Sequence, residues 1–300
     1  MTMTKLKLAI LGVGLIGGSF GLALKDKLHD KIYITGTTRT EKSCKKAEMM
    51  GAVDKGYIDN TAAVKDADVV YLSTPVLQMV PIVQQILPCL KKGTIITDAG
   101  STKQYIAASL QRILPEGIYY VPAHPMAGRE QSGITAASKD LFKNKSYVII
   151  KDPKMFTPAE AVEKIRTLIV LTGAHVTELD LVKHDRCASL ISHVPHITAA
   201  ALVNLLNRNY NDLEECIKLA GGGFKDTTRI ASSNADMWAD ICISNPIPII
   251  NDLQTLQMII DDVIAAVNNK DREALYDYFS TAKQTRDKII DESKNMYEIE

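Results

Sequence analysis

The stretch "LAILGVGLIGGSFGLAL", residues 8–24, decides the fold. It begins as an apolar strand, breaks at Gly12-Val13-Gly14-Leu15-Ile16-Gly17, and continues as an apolar helix. A bare G-x-G-x-x-G is a weak signal, but a strand before it and a helix after it are the setting its chemistry requires. Gly12 permits the tight turn, Gly14 lets the backbone approach a pyrophosphate, and Gly17 lets helix and strand pack closely. Leu15 and Ile16 open the helix, whose first turn offers unpaired N–H groups and a positive dipole end to phosphates. The competing reading is a tight strand–helix turn with no ligand.

Working outward, short β-type runs alternate with helical stretches up to about residue 178. The strand candidates are "LKLAILG", "KIYITGT", "DVVYLST", "GTIITDA", "IYYVPAH", "SYVIIKD" and "AHVTELD", with helical patterns such as "VPIVQQILPCLKK" and "AEAVEKIRTLIVLTG" between them. This alternation predicts an α/β fold, a Rossmann-type, doubly wound and largely parallel sheet. After residue 179 only helical patterns follow, among them "IPIINDLQTLQMIIDDVIAAVNN" and "REALYDYFSTAKQTRDKII". The 300 residues exceed one ordinary core. Two domains are expected: residues 1–178 binding a dinucleotide, and 179–300 all-helical. No Pro/Gly linker separates them near "TELDLVKHD", and there is no internal repeat or low-complexity tract.

Lys plus Arg and Asp plus Glu number 35 each, so no global field draws the chain to nucleic acid or membrane. Any anionic ligand must be held by local groups. The apolar N-terminus is not read as a signal peptide, because glycines interrupt what should be its apolar core and no small-residue cleavage site follows. No apolar run of about 18 residues offers a membrane span. The cysteines Cys44, Cys89, Cys187, Cys216 and Cys242 are scattered, odd in number and form no CxxC pair. They point to a reducing compartment, the cytoplasm.

Ligands of open α/β sheets lie beyond the carboxyl ends of the strands. There "VVYL" is followed by Ser73-Thr74-Pro75, "TIIT" by Asp98 through Lys103, and "YYVPA" by His124 through Glu130. Small residues, hydroxyls and one histidine thus gather where a nicotinamide would lie, and Ser73, Thr74 and Pro75 are assigned to the cofactor. His124 is the candidate base, since imidazole ordinarily titrates close to neutrality; its alternative is a histidine capping a loop. Ser101 would orient the base or a substrate hydroxyl, or cap a helix, and these roles are compatible.

"SHVPH", residues 192–196, raises a separate question, because it interrupts a long apolar helical run. His193 and His196 are three apart and share a helix face. They read as a metal site, as satisfied core histidines, or as ligand groups aimed into a cleft. No third ligand has metal-binding spacing, so no metal is assigned.

At this point several motifs resemble one family. "GVGLIGGS", "DAGSTK", "HPMAGREQSG", "HDR", "SHVPH", "GGGFKDTTRIA" and "MWADICISN" occur in this order over roughly residues 6–290. Together they resemble the prephenate dehydrogenases and the related arogenate (cyclohexadienyl) dehydrogenases of tyrosine biosynthesis. The resemblance implies oxidative decarboxylation with hydride transfer to a nicotinamide, and an all-helical C-terminal domain that forms a homodimer. Motif by motif it makes His124 the catalytic histidine and Ser101 its hydroxyl partner. Glu130 falls on an acidic gating position, and Ser192, His193, His196 and Arg229 on substrate contacts. Pro195 would bend the helix so that both imidazoles face the cleft, and Arg229 would offer a fork suited to a carboxylate. The alternative for Arg229 is a salt bridge with Asp226 or Glu130. Arg129, where the family often has a small polar residue, is a further cation for a substrate carboxylate. No ACT-type regulatory domain or chorismate mutase segment is expected.

Two rivals to this reading are a β-hydroxyacid-type dehydrogenase and a non-catalytic cofactor-sensing regulator. The first typically uses a lysine base in its helical domain, and the second has no reason to keep His124, Ser101 and Arg229 together. Prephenate is the expected substrate and arogenate the alternative. The end of the second strand reads Thr37-Thr38-Arg39, with no carboxylate where NAD enzymes hold the ribose diol. Thr38 donating to a 2′-phosphate and Arg39 pairing with it predict NADP over NAD, with Lys42 and Lys45 adding positive potential. NAD held through Thr38 alone is the alternative.

Overall fold

The computed structural model describes residues 5–129, 131–153, 155, 157–208 and 213–295. Strand β1 (Leu6–Leu11) runs into the glycine loop and the chain returns as α1 (Leu15–Leu28). Gly12 makes the turn at φ 97°, in the left-handed region where a side chain is strained. There follow β2 (Ile32–Thr37), α2 (Glu41–Met49), β3 (Lys55–Tyr57), α3 (Asn60–Ala63) and β4 (Val69–Leu72). Next come α4 (Val76–Ile86), β5 (Ile95–Asp98), α5 (Gln104–Leu110) and β6 (Tyr119–Val121). All six strands are parallel, in the order β3-β2-β1-β4-β5-β6. The winding reverses between β1 and β4, so the glycine loop and Ser73 flank one crevice.

Both faces of this sheet are buried, which is why its strands read as continuous apolar runs rather than as alternations. Leu8 and Ile10 of β1 pack with Phe20 and Leu24 of α1 on one face. Ala9 and Leu11 pack with Met79 and Val83 of α4 on the other. Each of these side chains larger than Ala stabilises the fold by about 1.5–3 kcal/mol when fully buried. Strand β3 is not anticipated from the sequence; a three-residue edge strand is too short to show a period.

The stretch expected as one strand, "IYYVPAH", is two. Pro122 lacks an N–H to continue the ladder. Beyond it, β7 (Ala123–Pro125) leaves the first sheet and pairs antiparallel with β8 (Ser146–Ile150), which runs parallel to β9 (His175–Leu179). This second, three-stranded sheet carries α6 (Ala159–Leu171) between β8 and β9. A buried hydroxyl pair, Tyr71 to Tyr147 at 2.8 Å, ties it to the first, and Phe20 stacks on Tyr71 with ring centres 4.2 Å apart.

After Leu179 the described residues hold helices only. These are α7 (Leu181–Ala188), a π-helical turn (Ser189–His193), α8 (Val194–Arg208), α9 (Leu213–Leu219) and α10 (Gly222–Thr228). A 3₁₀ turn (Arg229–Ser232), α11 (Ala235–Ser244), α12 (Pro246–Asn268) and α13 (Arg272–Asn295) complete the chain. By its contacts the chain divides into residues 1–246 and residues 247–300. Helices α7 to α11 belong to the first unit, where α11 packs on α4. The second holds the rest of α12 and α13, and there Ile250, Met258, Ile264, Tyr276, Phe279 and Ile289 are exposed.

By length and composition only, the joined run Leu181–Arg208 is long and apolar enough to cross a membrane. Its charged residues, Lys183, Asp185, Arg186 and Arg208, lie at the two ends, so the average over the middle is high. His184, Asp185 and His193 on this run are buried within the protein.

The glycine-loop packing is testable. A Cβ at position 17 would lie 2.5 Å from the Gly12 carbonyl oxygen and 2.8 Å from Ile10 Cγ2. Gly17→Ala should therefore destabilise the protein by about 1–3 kcal/mol, read as a lower urea midpoint.

Candidate active site

The crevice fits a dinucleotide on three observations. A Cβ added at Gly14 would meet nothing within 4 Å, so the loop leaves open space at the mouth of α1. The Ser73 hydroxyl donates to the Gly12 carbonyl at 2.8 Å, bracing the loop from the neighbouring strand. Thr74 Oγ1 is buried with no partner among the described residues, and a buried hydroxyl left so calls for a ligand atom. Pro75 stands at the N-cap of α4.

At the end of β2, Thr37 is turned inward: its carbonyl accepts from Val13 N–H at 2.7 Å and its hydroxyl from Gly12 N–H at 3.3 Å. The Thr38 hydroxyl donates to the Thr40 carbonyl at 2.9 Å, with Cys44 Sγ 3.1 Å away. This corrects the expected outward donation by Thr38, whose one hydroxyl hydrogen is already used. Arg39 is exposed.

His124 sits in β7, buried, with its Nδ1 2.9 Å from His184 Nε2. His184 Nδ1 in turn lies 2.7 Å from Asp185 Oδ1. That carboxylate accepts the Lys103 N–H at 2.7 Å and the Gln104 N–H at 2.9 Å, capping α5 from another helix. Burial raises the Asp185 pKa, but the bonds from His184 and the two amides outweigh it and hold the group below the ordinary carboxylate value. Burial is also the main force on His124, helped by His184, Lys103 and His193, and it pushes the imidazole well below its ordinary value. The base therefore does not titrate close to neutrality, as composition alone suggests.

Beneath the histidine lies a buried ion pair of Lys103 and Asp98. Lys103 also donates to the Ala123 carbonyl at 2.8 Å, and Asp98 accepts from Tyr120 at 2.8 Å. A buried pair is weak evidence for stability; here its contacts tie the β5–α5 loop to β7. Ser101 lies in that loop, half-buried, and makes no bond to His124 among the described residues. Of the His124 ring nitrogens, Nδ1 is taken by His184.

His193 and His196 come together on one aromatic ring. His196 stacks on Trp238 with centres 3.8 Å apart, and His193 meets it edge-on at 6.1 Å. A wide turn, rather than a proline kink alone, brings them there. Val194 N–H bonds the Ser189 carbonyl, five residues back. The π turn thus accommodates Pro195, which has no N–H for the usual acceptor. His196 Nδ1 donates to the Ser192 carbonyl at 2.8 Å. Asn245 donates to the Asp185 main-chain carbonyl at 2.9 Å and lies 3.2 Å from His193 Nδ1. His193 Nε2 and Trp238 Nε1 are buried with no partner among the described residues. Burial lowers the His193 pKa to about 4, against partial opposition from Asp185. A cavity of about 280 Å³ beside these rings is lined by His196, Ile197, Ala200, Ile230, Ser233 and Trp238. Ser192 is half-buried, Arg229 is exposed at the head of the 3₁₀ turn that packs on α8, and Arg129 is exposed in the loop after β7. Glu130 lies outside the described residues.

Comparison with known proteins places this geometry. Residues 20–178 match the prephenate dehydrogenase nucleotide-binding domain and residues 181–281 the prephenate dehydrogenase dimerization domain. The chain belongs to the prephenate dehydrogenase family. It is an oxidoreductase of the dehydrogenase type. Prephenate dehydrogenase of Bacillus subtilis is 36% identical over 96% of this chain and 77% of that protein. Cyclohexadienyl dehydrogenase of Zymomonas mobilis is 30% identical over 95% of this chain and 96% of that protein. The crystal structure of prephenate dehydrogenase from A. aeolicus, in complex with hydroxyphenyl propionate and NAD+, matches at TM-score 0.87. It is 29% identical and covers 96% of this chain and 100% of that one. Within the family motifs the sequence reading assigns no role to His184, Asp185, Asn245 or Trp238. The available signal was chemical: a histidine and an aspartate adjacent on an otherwise amphipathic helix.

Neutral buried histidines make the fold acid-sensitive. An unfolded histidine takes a proton near pH 6.5, whereas folded His193 does so only near 4. Its contribution is complete above the unfolded value and is lost as pH falls through it toward the folded one. By pH 5 this amounts to about 2 kcal/mol. The urea midpoint should fall between pH 7.5 and 5, and His193→Gln should flatten that dependence.

Proposed function

We propose that the protein converts prephenate to 4-hydroxyphenylpyruvate by oxidative decarboxylation in tyrosine biosynthesis. The observation that carries this is the buried His124 at the carboxyl end of the sheet, its Nδ1 against His184, with His193 Nε2 and Trp238 Nε1 unpartnered among the described residues of the same unit. When bound, the nicotinamide supplies the acceptor for the hydride leaving C4 of the ring. His124 takes the proton of the 4-hydroxyl. The ring carboxylate departs as carbon dioxide, leaving its bonding electrons to complete the aromatic ring. His193 donates to a substrate oxygen from Nε2, and Ser101 contacts the same hydroxyl that His124 deprotonates. Ser192 and His196 line the substrate side, and Arg229, with Arg129 as a further cation, answers the carboxylates with a planar fork. The division into cofactor and substrate halves is placed at residues 178–179. The B. subtilis relative supports prephenate, while the Z. mobilis relative keeps arogenate as the second reading.

His124→Asn should lower kcat by about two to four orders of magnitude with little change in cofactor binding. Reduced-cofactor absorbance on adding prephenate or arogenate is the assay. A loss under about tenfold removes His124 from this role. The acid limb of kcat/KM should lie below the ordinary histidine pKa, because the neutral imidazole is the active form and burial lowers its pKa.

The glycine loop supports use of NAD or NADP, and NADP is the preferred cofactor of this reading. Arg39, exposed just before the Thr40 cap of α2, carries the preference; Thr38 does not, since its hydrogen is spent internally. Thr38→Asp with Arg39→Ala should move the kcat/KM ratio toward NAD. An unmodified enzyme favouring NAD by about tenfold, some 1.4 kcal/mol, contradicts this assignment. The exposed apolar side chains of α12 and α13 support a homodimer through the C-terminal helices. Unpaired cysteines, with Cys44 buried, suit the cytoplasm.

A further inference from the structure

The geometry points to Asp185 and His184 as positioning residues that set the tautomer of His124 and leave its Nε2 as a proton acceptor. The inference rests on reading His124 as the base. An ionised carboxylate can only accept, so His184 Nδ1 must be the donor across the 2.7 Å to Asp185. With that hydrogen on Nδ1, the neutral form of His184 has none on Nε2, which in that form is an acceptor. It takes the hydrogen of His124 Nδ1 across 2.9 Å. The only remaining site on the His124 ring is the Nε2 lone pair, the form a general base requires. Were the chain of bonds reversed, Nε2 would carry the hydrogen and His124 could not accept the proton.

Asp185 keeps this direction because its other contacts are donors too. The N–H groups of Lys103 and Gln104 converge on it at the start of α5, where the helix dipole favours negative charge. The same residue governs the second histidine by a different atom. Its main-chain carbonyl takes one hydrogen of the Asn245 amide at 2.9 Å. The other hydrogen of that amide faces His193 Nδ1 at 3.2 Å, so His193 carries its own hydrogen on Nε2. One residue thus prepares an acceptor in His124 and a donor in His193, the complementary pair that a hydroxyl losing its proton needs. The groups acting electrostatically on His124 are His184 from α7, Lys103 from the loop before α5, and His193 from the π turn.

The experiment combines spectroscopy with kinetics on the intact protein. Ring-nitrogen NMR of histidine-labelled wild type at pH 7 should show His124 protonated at Nδ1 and bare at Nε2. His184→Phe removes the acceptor while leaving the Asp185 cap of α5 in place. It should cut kcat by on the order of a hundredfold or more, as a wrongly set tautomer does elsewhere. KM should stay close to wild type, and the acid limb of the pH profile should move. Asp185→Asn should give the same split if it folds, but the wild-type spectrum decides whether or not it does. His124 found with its hydrogen on Nε2, or His184→Phe with unchanged kcat and pH profile, overturns the inference. If His124→Asn is itself fully active, the underlying reading of the base fails instead.

Discussion

Three hydrogen bonds converge on the buried carboxylate of Asp185, and His124 is held through them. The carboxylate draws two amides from the start of α5 and one imidazole from its own helix. Removing such a charge from water costs several kcal/mol, so it is retained only because every bond around it is made. Its cap joins α5, the last crossover of the six-stranded sheet, to the first helix after the sheets. The helices bearing His184 and His193 are thereby held to the strand edge by hydrogen bonds as well as by apolar contact. The Thr102 hydroxyl, donating to Ser244 at 2.9 Å, adds a second tie from the same loop to α11.

The glycine loop obeys a different economy, one of space. Ser73 and Gly12 are joined by a 2.8 Å bond, and no side chain could stand at Gly17 without displacing one of them. Open room at Gly14 and crowding at Gly17 are consequences of the same close approach of α1 to β1. The first admits a ligand; the second keeps the walls around it fixed.

Much of this was legible beforehand. The strand–glycine–helix pattern, the apolar strands and the histidine at a strand end all follow from local chemistry that a sequence displays. The split of "IYYVPAH" hinged on Pro122, which the apolar pattern passes over because both halves are buried. Strand β3 offered too few residues for a period, and the Thr38 hydroxyl is spent on the Thr40 carbonyl, a local turn that residue type alone does not reveal. Least visible were His184, Asp185 and Asn245. Their roles arise from who bonds to whom, and the Asn245 amide touches residues 52 and 60 positions away. Such pairings are properties of packing rather than of spacing.

The π turn at Ser189–His193 has a bearing on how the helix should be drawn. Asp185 and His193 are eight positions apart, and on a regular helix they would diverge by about 80°. A wide turn takes up one residue, so they stand as though seven apart, within about 20° of each other. A wheel plotted from the sequence would therefore set the two on different faces and miss that they share one. It also follows that shortening this tract by a single residue would straighten the helix while keeping those two faces in phase. Adding one to a regular helix here, by contrast, is the change through which a tract of this kind could first have arisen.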